Sequence, residues 1–104
     1  MVTLQDALVR LGIDYADEHI ERNVERALAA AERTLRGAVG ERVHALLPED
    51  PRVDELTCIY LEDLYDNRGT NAKVAGAVRA MVQTLEQQLR LELLRAEQAA
   101  GGED

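Results

Sequence analysis

Side chains able to act as nucleophiles or metal ligands are scarce in this chain. There is one cysteine, Cys58, and there are two histidines, His19 and His44. A thiol nucleophile needs a neighbouring base, and a metal needs several ligands at fixed spacing. No histidine stands near Cys58 in sequence, and His19 has no partner at ligand spacing. Cys58 therefore reads as a small buried hydrophobe and His44 as an ordinary loop histidine. Nor is there a glycine-rich phosphate loop, or a Ser or Cys beside a base. The expectation is a protein that is not an enzyme, with no catalytic residue, no metal and no cofactor.

The sequence offers charge instead. Glu55, Glu62 and Asp66 recur along one face of a predicted helix, flanked by Asp54 and Asp63. Such a row is a solvated surface or a wall that repels phosphates, and not a DNA-binding site. Near the other end of the chain, Arg90 and Arg95 are donors suited to carboxylates on a partner surface. The overall balance is acidic, with twelve basic against twenty acidic groups and a formal net charge of -8. A protein that grips nucleic acid through many phosphates wants the opposite sign. All the cations but Lys73 are arginine, a bias attributable first to genome base composition.

The elements that must position these residues are helices. At 104 residues the chain is one domain, 1–104. It lacks Trp and Phe, has three Tyr and two Pro, and is dominated by Ala, Leu, Arg, Glu and Gln, which lose least on entering a helix. The core must then be Leu, Ile, Val and Ala, modest in area and suited to reinforcement by oligomerisation. A single cysteine rules out an internal disulfide and fits a reducing compartment. No run of eighteen apolar residues exists, and Met1 leads directly into a helix start, so neither a membrane span nor a signal peptide is expected.

Thr3 and Asp6 outline a capping box for a first short helix, about 4 to 11, with Leu4, Leu8 and Leu11 at helical spacing and Gly12 as a left-handed stop. Asp14 or Asp17 caps a second helix from about Tyr15 to Arg36, striped by Ile20, Val24, Ala27, Leu28, Ala31 and Leu35. Residues 38–50 read as the one long irregular stretch. Asp50 before Pro51 starts a third helix over about 51 to 67, with Val53, Leu56, Thr57, Tyr60 and Leu64 inward and Ile59, Leu61 and Tyr65 widening the arc. Thr70 caps the last helix, which has no Pro or Gly between Ala77 and Ala100 and so can extend roughly 40 Å. Its stripe is Val74, Val78, Met81, Val82, Leu85, Leu89 and Leu93, while Leu91 and Leu94 lie far round the cylinder. The fold expected is all-α: a short N-terminal helix plus three longer ones in a small bundle, with residues 88–104 protruding as a C-terminal helix and tail. Arg90, Leu91, Leu94 and Arg95 are the expected partner interface.

Three segments in order carry a resemblance. They are Leu8-x-x-Leu11-Gly-Ile13-Asp14, an alanine-rich helix from Ala27 to Ala31 leading to Leu47-Pro48-Glu49-Asp50, and Leu61-x-x-Leu64-Tyr65-Asp66-Asn67-Arg68. Together, over about residues 3 to 69, they resemble the head-tail connector family of tailed bacteriophages and prophages. The resemblance implies a virion structural protein, assembled in the host cytoplasm and placed in the neck between head and tail. It implies a homo-oligomeric ring, expected to be twelve-fold, that binds beneath the portal protein. The genome DNA passes through without specific binding, and a tail, stopper or tail-terminator protein docks on the far side. Leu11, Ile13, Asp14, Leu61, Leu64, Tyr65, Asn67 and Arg68 then have structural roles, and Glu55, Glu62 and Asp66 face the channel or solvent. After Gly69 the sequence departs from the family pattern, since one helix continues to Leu93-Leu94-Arg95. A phage small terminase subunit should carry a basic recognition helix, and none is present. The remaining alternative is a free-standing helical interaction or regulatory module that forms a small homo-oligomer.

Overall fold

In a computed structural model the described residues are 1–66 and 76–101, and among them every regular element is helical. The order is α1 (Leu4–Arg10), α2 (Glu18–Val39), α3 (Val43–Leu46), α4 (Pro51–Asp66) and α5 (Gly76–Gly101). The all-α architecture read from the sequence is the one observed.

Local chemistry sets the helix ends. The hydroxyl of Thr3 accepts from the Asp6 backbone N–H while the Asp6 carboxylate accepts from that of Thr3, both at 3.1 Å. This reciprocal pair opens α1 and holds the Asp6 carboxyl below its ordinary range. At the other end Gly12 takes φ +72°. The Ile13 N–H reaches back to the Leu8 carbonyl at 2.9 Å, and that of Gly12 to Val9 at 3.1 Å, which closes the helix in a Schellman turn. Of the two candidate caps for α2 it is Asp17 whose carboxylate accepts from the Ile20 N–H, at 2.8 Å. Asp50 caps α4, accepting from the backbone and the guanidinium of Arg52.

Three of the expected boundaries shift. Helix α2 begins at Glu18, behind the Asp17 cap, and not at Tyr15; it runs through Gly37 to Val39; and the turn of α3 lies inside the stretch expected to be irregular. A glycine inside a helix costs about 1 kcal/mol relative to alanine, but here continuation buries Val39, and α3 buries Val43 completely. Both join Leu35, Val53, Leu56, Leu89 and Leu93 in one apolar cluster. A second cluster gathers Val2, Ala7 and Leu8 around Val24, Leu28, Ala31 and Leu61. Leu11, Ile13, Tyr65 and Cys58 pack on the second cluster, and Tyr60 touches both.

This division of the core sets the topology. The N-terminal half of α2 meets the C-terminal part of α4, and its C-terminal half meets the start of α4, so the two run antiparallel. Helix α5 lies along α4 in the reverse sense. Its 26 residues make a rod of about 39 Å, and the molecule measures 49 × 31 × 18 Å.

The same division corrects the facing of α4. Leu64, expected inward, is 43 % exposed, while Leu61, placed at the edge of the arc, is fully buried. Val53, Leu56 and Thr57 face α2 and α5 at the start of the helix; nearer its end the covered side turns toward Cys58, Leu61 and Tyr65, where α1 supplies the neighbours. A constant stripe at 3.6-residue period describes a helix with one neighbour, and α4 changes neighbours along its length. In α5, Met81 was expected on the buried stripe and is 47 % exposed. Val74 and the side chain of Val78 lie outside the described residues.

Candidate functional site

The most distinctive surface is the outer side of α5. Leu89 and Leu93 are buried on its inner side, whereas Leu91 and Leu94 are 58 % and 54 % exposed. An α-helix advances 100° per residue, which sets the two pairs on opposing sides. Over its described residues, 88–101, the segment thus does not protrude as a unit, because Leu89 and Leu93 are part of the core. Deleting it would remove Leu89 and Leu93 together with the outer leucines.

The two arginines of this region differ. Arg90 Nε donates to the Ala38 carbonyl at 2.5 Å, covering an orphan acceptor in the last turn of α2. That ties α5 to its own body through Nε, while the Arg90 side chain stays exposed. Arg95 is open to solvent, with Glu92 of the preceding turn 3.7 Å away. All three carboxylates of α5, Glu86, Glu92 and Glu97, are half-buried, while its three arginines, Arg79, Arg90 and Arg95, are exposed. The outer side of α5 is thereby apolar and cationic on a chain of net charge -8.

The acidic face of α4 is also more constrained than a row of solvated carboxylates. Arg10, the last residue of α1, donates through Nη1 and Nη2 to both oxygens of Glu55, at 3.1 and 3.0 Å, and through Nε to Glu62 at 2.5 Å. The guanidinium hydrogen bond holds the Glu55 carboxyl below its usual range, and the two carboxylates raise the Arg10 pKa. One cation fastens α1 across two turns of α4, so Glu55 and Glu62 serve first as an anchor for α1. The side chain of Asp66, with Asn67 and Arg68, lies outside the described residues. Leu11 and Ile13 are half-buried against the α1 cluster, and Asp14 is exposed ahead of the Asp17 cap.

A second polar tie joins α4 to α5. The Tyr60 hydroxyl donates to Glu86; burial first, then this bond to a carboxylate, pushes the phenol pKa up. Sequence reading missed this pair and the Arg10 clamp because each links residues far apart in the chain. The Asp50–Arg52 pair, 2.6 Å apart, was legible in principle from its i,i+2 spacing around Pro51.

Burial raises the Cys58 thiol pKa, which disfavours the thiolate. No group of three or more His, Cys, Asp or Glu among the described residues could hold a metal ion. None of their helices is long and apolar enough to cross a membrane. Comparison of the chain with family models, with curated proteins and with solved structures returns no match.

Proposed function

We propose that the chain is a structural subunit of a homo-oligomeric ring, of the kind formed by the phage head-tail connectors that its sequence resembles. In that role it sits beneath a portal protein in the neck of the virion and extends the DNA channel. Its other side is offered to a tail, stopper or tail-terminator protein. The observation that carries the reading is the two-sided α5, which fills the core with Leu89 and Leu93 and leaves Leu91 and Leu94 open. Full burial of a leucine contributes about 1.5–3 kcal/mol, which the described residues leave unrealised and a second chain can supply. The net charge supports the channel role, since a surface of the same sign as phosphate lets duplex DNA pass without capture. Electron microscopy of the purified protein should show closed rings, and duplex DNA should not be retained at low salt. A protein that stays monomeric, or that binds DNA tightly and salt-sensitively, contradicts the proposal.

One feature favours the alternative of a small homo-oligomeric interaction module. Ala80, Thr84, Gln87, Leu91, Leu94 and Gln98 are all exposed and follow the alternating four-three spacing of a helix-pairing seam. A discrete dimer by sedimentation, with no larger closed species, would select that reading.

A further inference from the structure

We infer that the outer side of α5 docks on the N-terminal half of α2 of a second copy of this chain, so that subunits join head to tail. The inference rests on the ring reading and specifies the contact that builds it.

The donor surface is Leu91, Leu94 and Arg95, exposed on a helix whose outward charges are all arginine. The acceptor is the side of α2 formed by Glu18, Glu21 and Glu25, which with Arg22 line a shallow depression. These three glutamates fall at i, i+3 and i+7 and so share one face. Among the described residues no cation from elsewhere in the chain comes within ion-pair distance of any of them. Tyr15, three residues ahead of Glu18, is 82 % exposed and supplies the amphipathic ring that protein interfaces favour. Apolar and cationic groups on one surface thus match apolar and anionic groups on the other.

Placement makes the contact intermolecular. Leu89 and Leu93 seat α5 against Leu35 and Val39 at the C-terminal end of α2. From Leu35 to Glu21 is fourteen residues, about 21 Å along the helix, so the two surfaces of one chain cannot satisfy each other. Two different surfaces in contact make a heterologous interface, which closes into a ring when the rotation allows and otherwise extends as a filament. A two-fold contact through α5 would instead set an all-arginine exposed face against itself.

Two variants and their mixture test this by sedimentation, with helicity and melting temperature confirming that each folds. The first, Leu91→Gln with Leu94→Gln, removes the apolar donor without adding charge; the second, Glu18→Arg with Glu25→Arg, disables the acceptor. Each alone should lose assembly and run at the one-chain mass of 11.5 kDa. An equimolar mixture retains one competent pair of surfaces, α5 of the second variant on α2 of the first, and should stop at twice that mass. If the wild type assembles and the acceptor variant assembles equally well, alone as a dimer or as a larger species, the head-to-tail contact is overturned while the ring reading stands. A mixture that remains monomeric overturns the pairing of these two surfaces. A wild type that is monomeric at every concentration overturns the ring reading and the contact with it.

Discussion

Replacing Gly40 by alanine probes the junction on which the cluster of Leu35, Val39, Val43, Leu89 and Leu93 depends. Gly40 caps α2 with φ 149° and ψ 149°, a region open essentially to glycine alone, where a side chain costs on the order of 1–3 kcal/mol. A Cβ built there would lie 2.4 Å from Leu93 Cδ2 and 3.7 Å from Cγ. Leu93 is 2 % exposed, so its methyl can yield only by disturbing packed neighbours, and overpacking of this sort costs about 1–3 kcal/mol. Together these give a loss of about 2–6 kcal/mol for Gly40→Ala. At about 4 °C per kcal/mol for a domain of this size, the melting temperature should fall by roughly 8–24 °C. A double-mutant cycle with Leu93→Ala separates the causes: truncation removes the clash but leaves the backbone strain, so the cycle should show a coupling of about 1–3 kcal/mol. Urea unfolding of the four proteins measures it. A destabilisation of Gly40→Ala below about 0.5 kcal/mol, typical of a neutral surface change, would refute both the backbone assignment and the close approach of α5.

Leu61→Ala should cost about 2–5 kcal/mol and Leu64→Ala less than about 1 kcal/mol, since the first is fully buried and the second is 43 % exposed; equal losses in chemical denaturation would show that the rotation of the covered side of α4 is wrong. Arg10→Met should cost about 1 kcal/mol, because the clamp is bidentate but its members are one-third to one-half exposed. Glu55 has a lowered folded pKa, so its contribution is present above the ordinary carboxylate value of 4.5 and is lost as the pH falls through the lower folded value. Arg10→Met should therefore flatten the acid limb of the stability curve, and an unchanged slope between pH 5 and about pH 2 would contradict the proposed linkage.

What the sequence made legible follows from the range of each interaction. The capping box at Thr3, the stop at Gly12 and the Asp50–Pro51 start all act within a few residues, and all are observed. The stripe of α2 was readable because that helix keeps neighbours on one side throughout: Val24, Leu28, Ala31 and Leu35 are all buried. Where the partner changes, periodicity misleads. Leu64 sits on the stripe defined by Val53 and Leu56 and is exposed because α4 has passed from one cluster to the other by that point. Helix α2 outran its apparent end at Gly37 because burial of Val39 lies in tertiary structure and outweighs a propensity cost that sequence alone can see.

The candidate surface divides along the same line. That Leu91 and Leu94 depart from the stripe of Leu89 and Leu93 is a matter of 100° per residue, so sequence sufficed. The use of Arg90 on the Ala38 carbonyl and of Glu55 and Glu62 on Arg10 needs partners 52, 45 and 52 residues away. These three side chains, singled out as free charge for partners or a channel, are largely committed to holding α5 and α1 on the body. Of the four residues expected as the interface, Leu91, Leu94 and Arg95 have no bond to another helix among the described residues, a smaller and more apolar set than the one expected. A contact made through it depends more on leucine burial than on charge. Raising the ionic strength, which screens exposed pairs within about a Debye length, should therefore weaken association only modestly, whereas Leu91→Ala should lower affinity by about tenfold or more, as expected for loss of about 1.5–3 kcal/mol of burial. Sedimentation at two salt concentrations, with and without that substitution, distinguishes the two dependences; a salt effect that exceeds the leucine effect would assign the contact to charge instead.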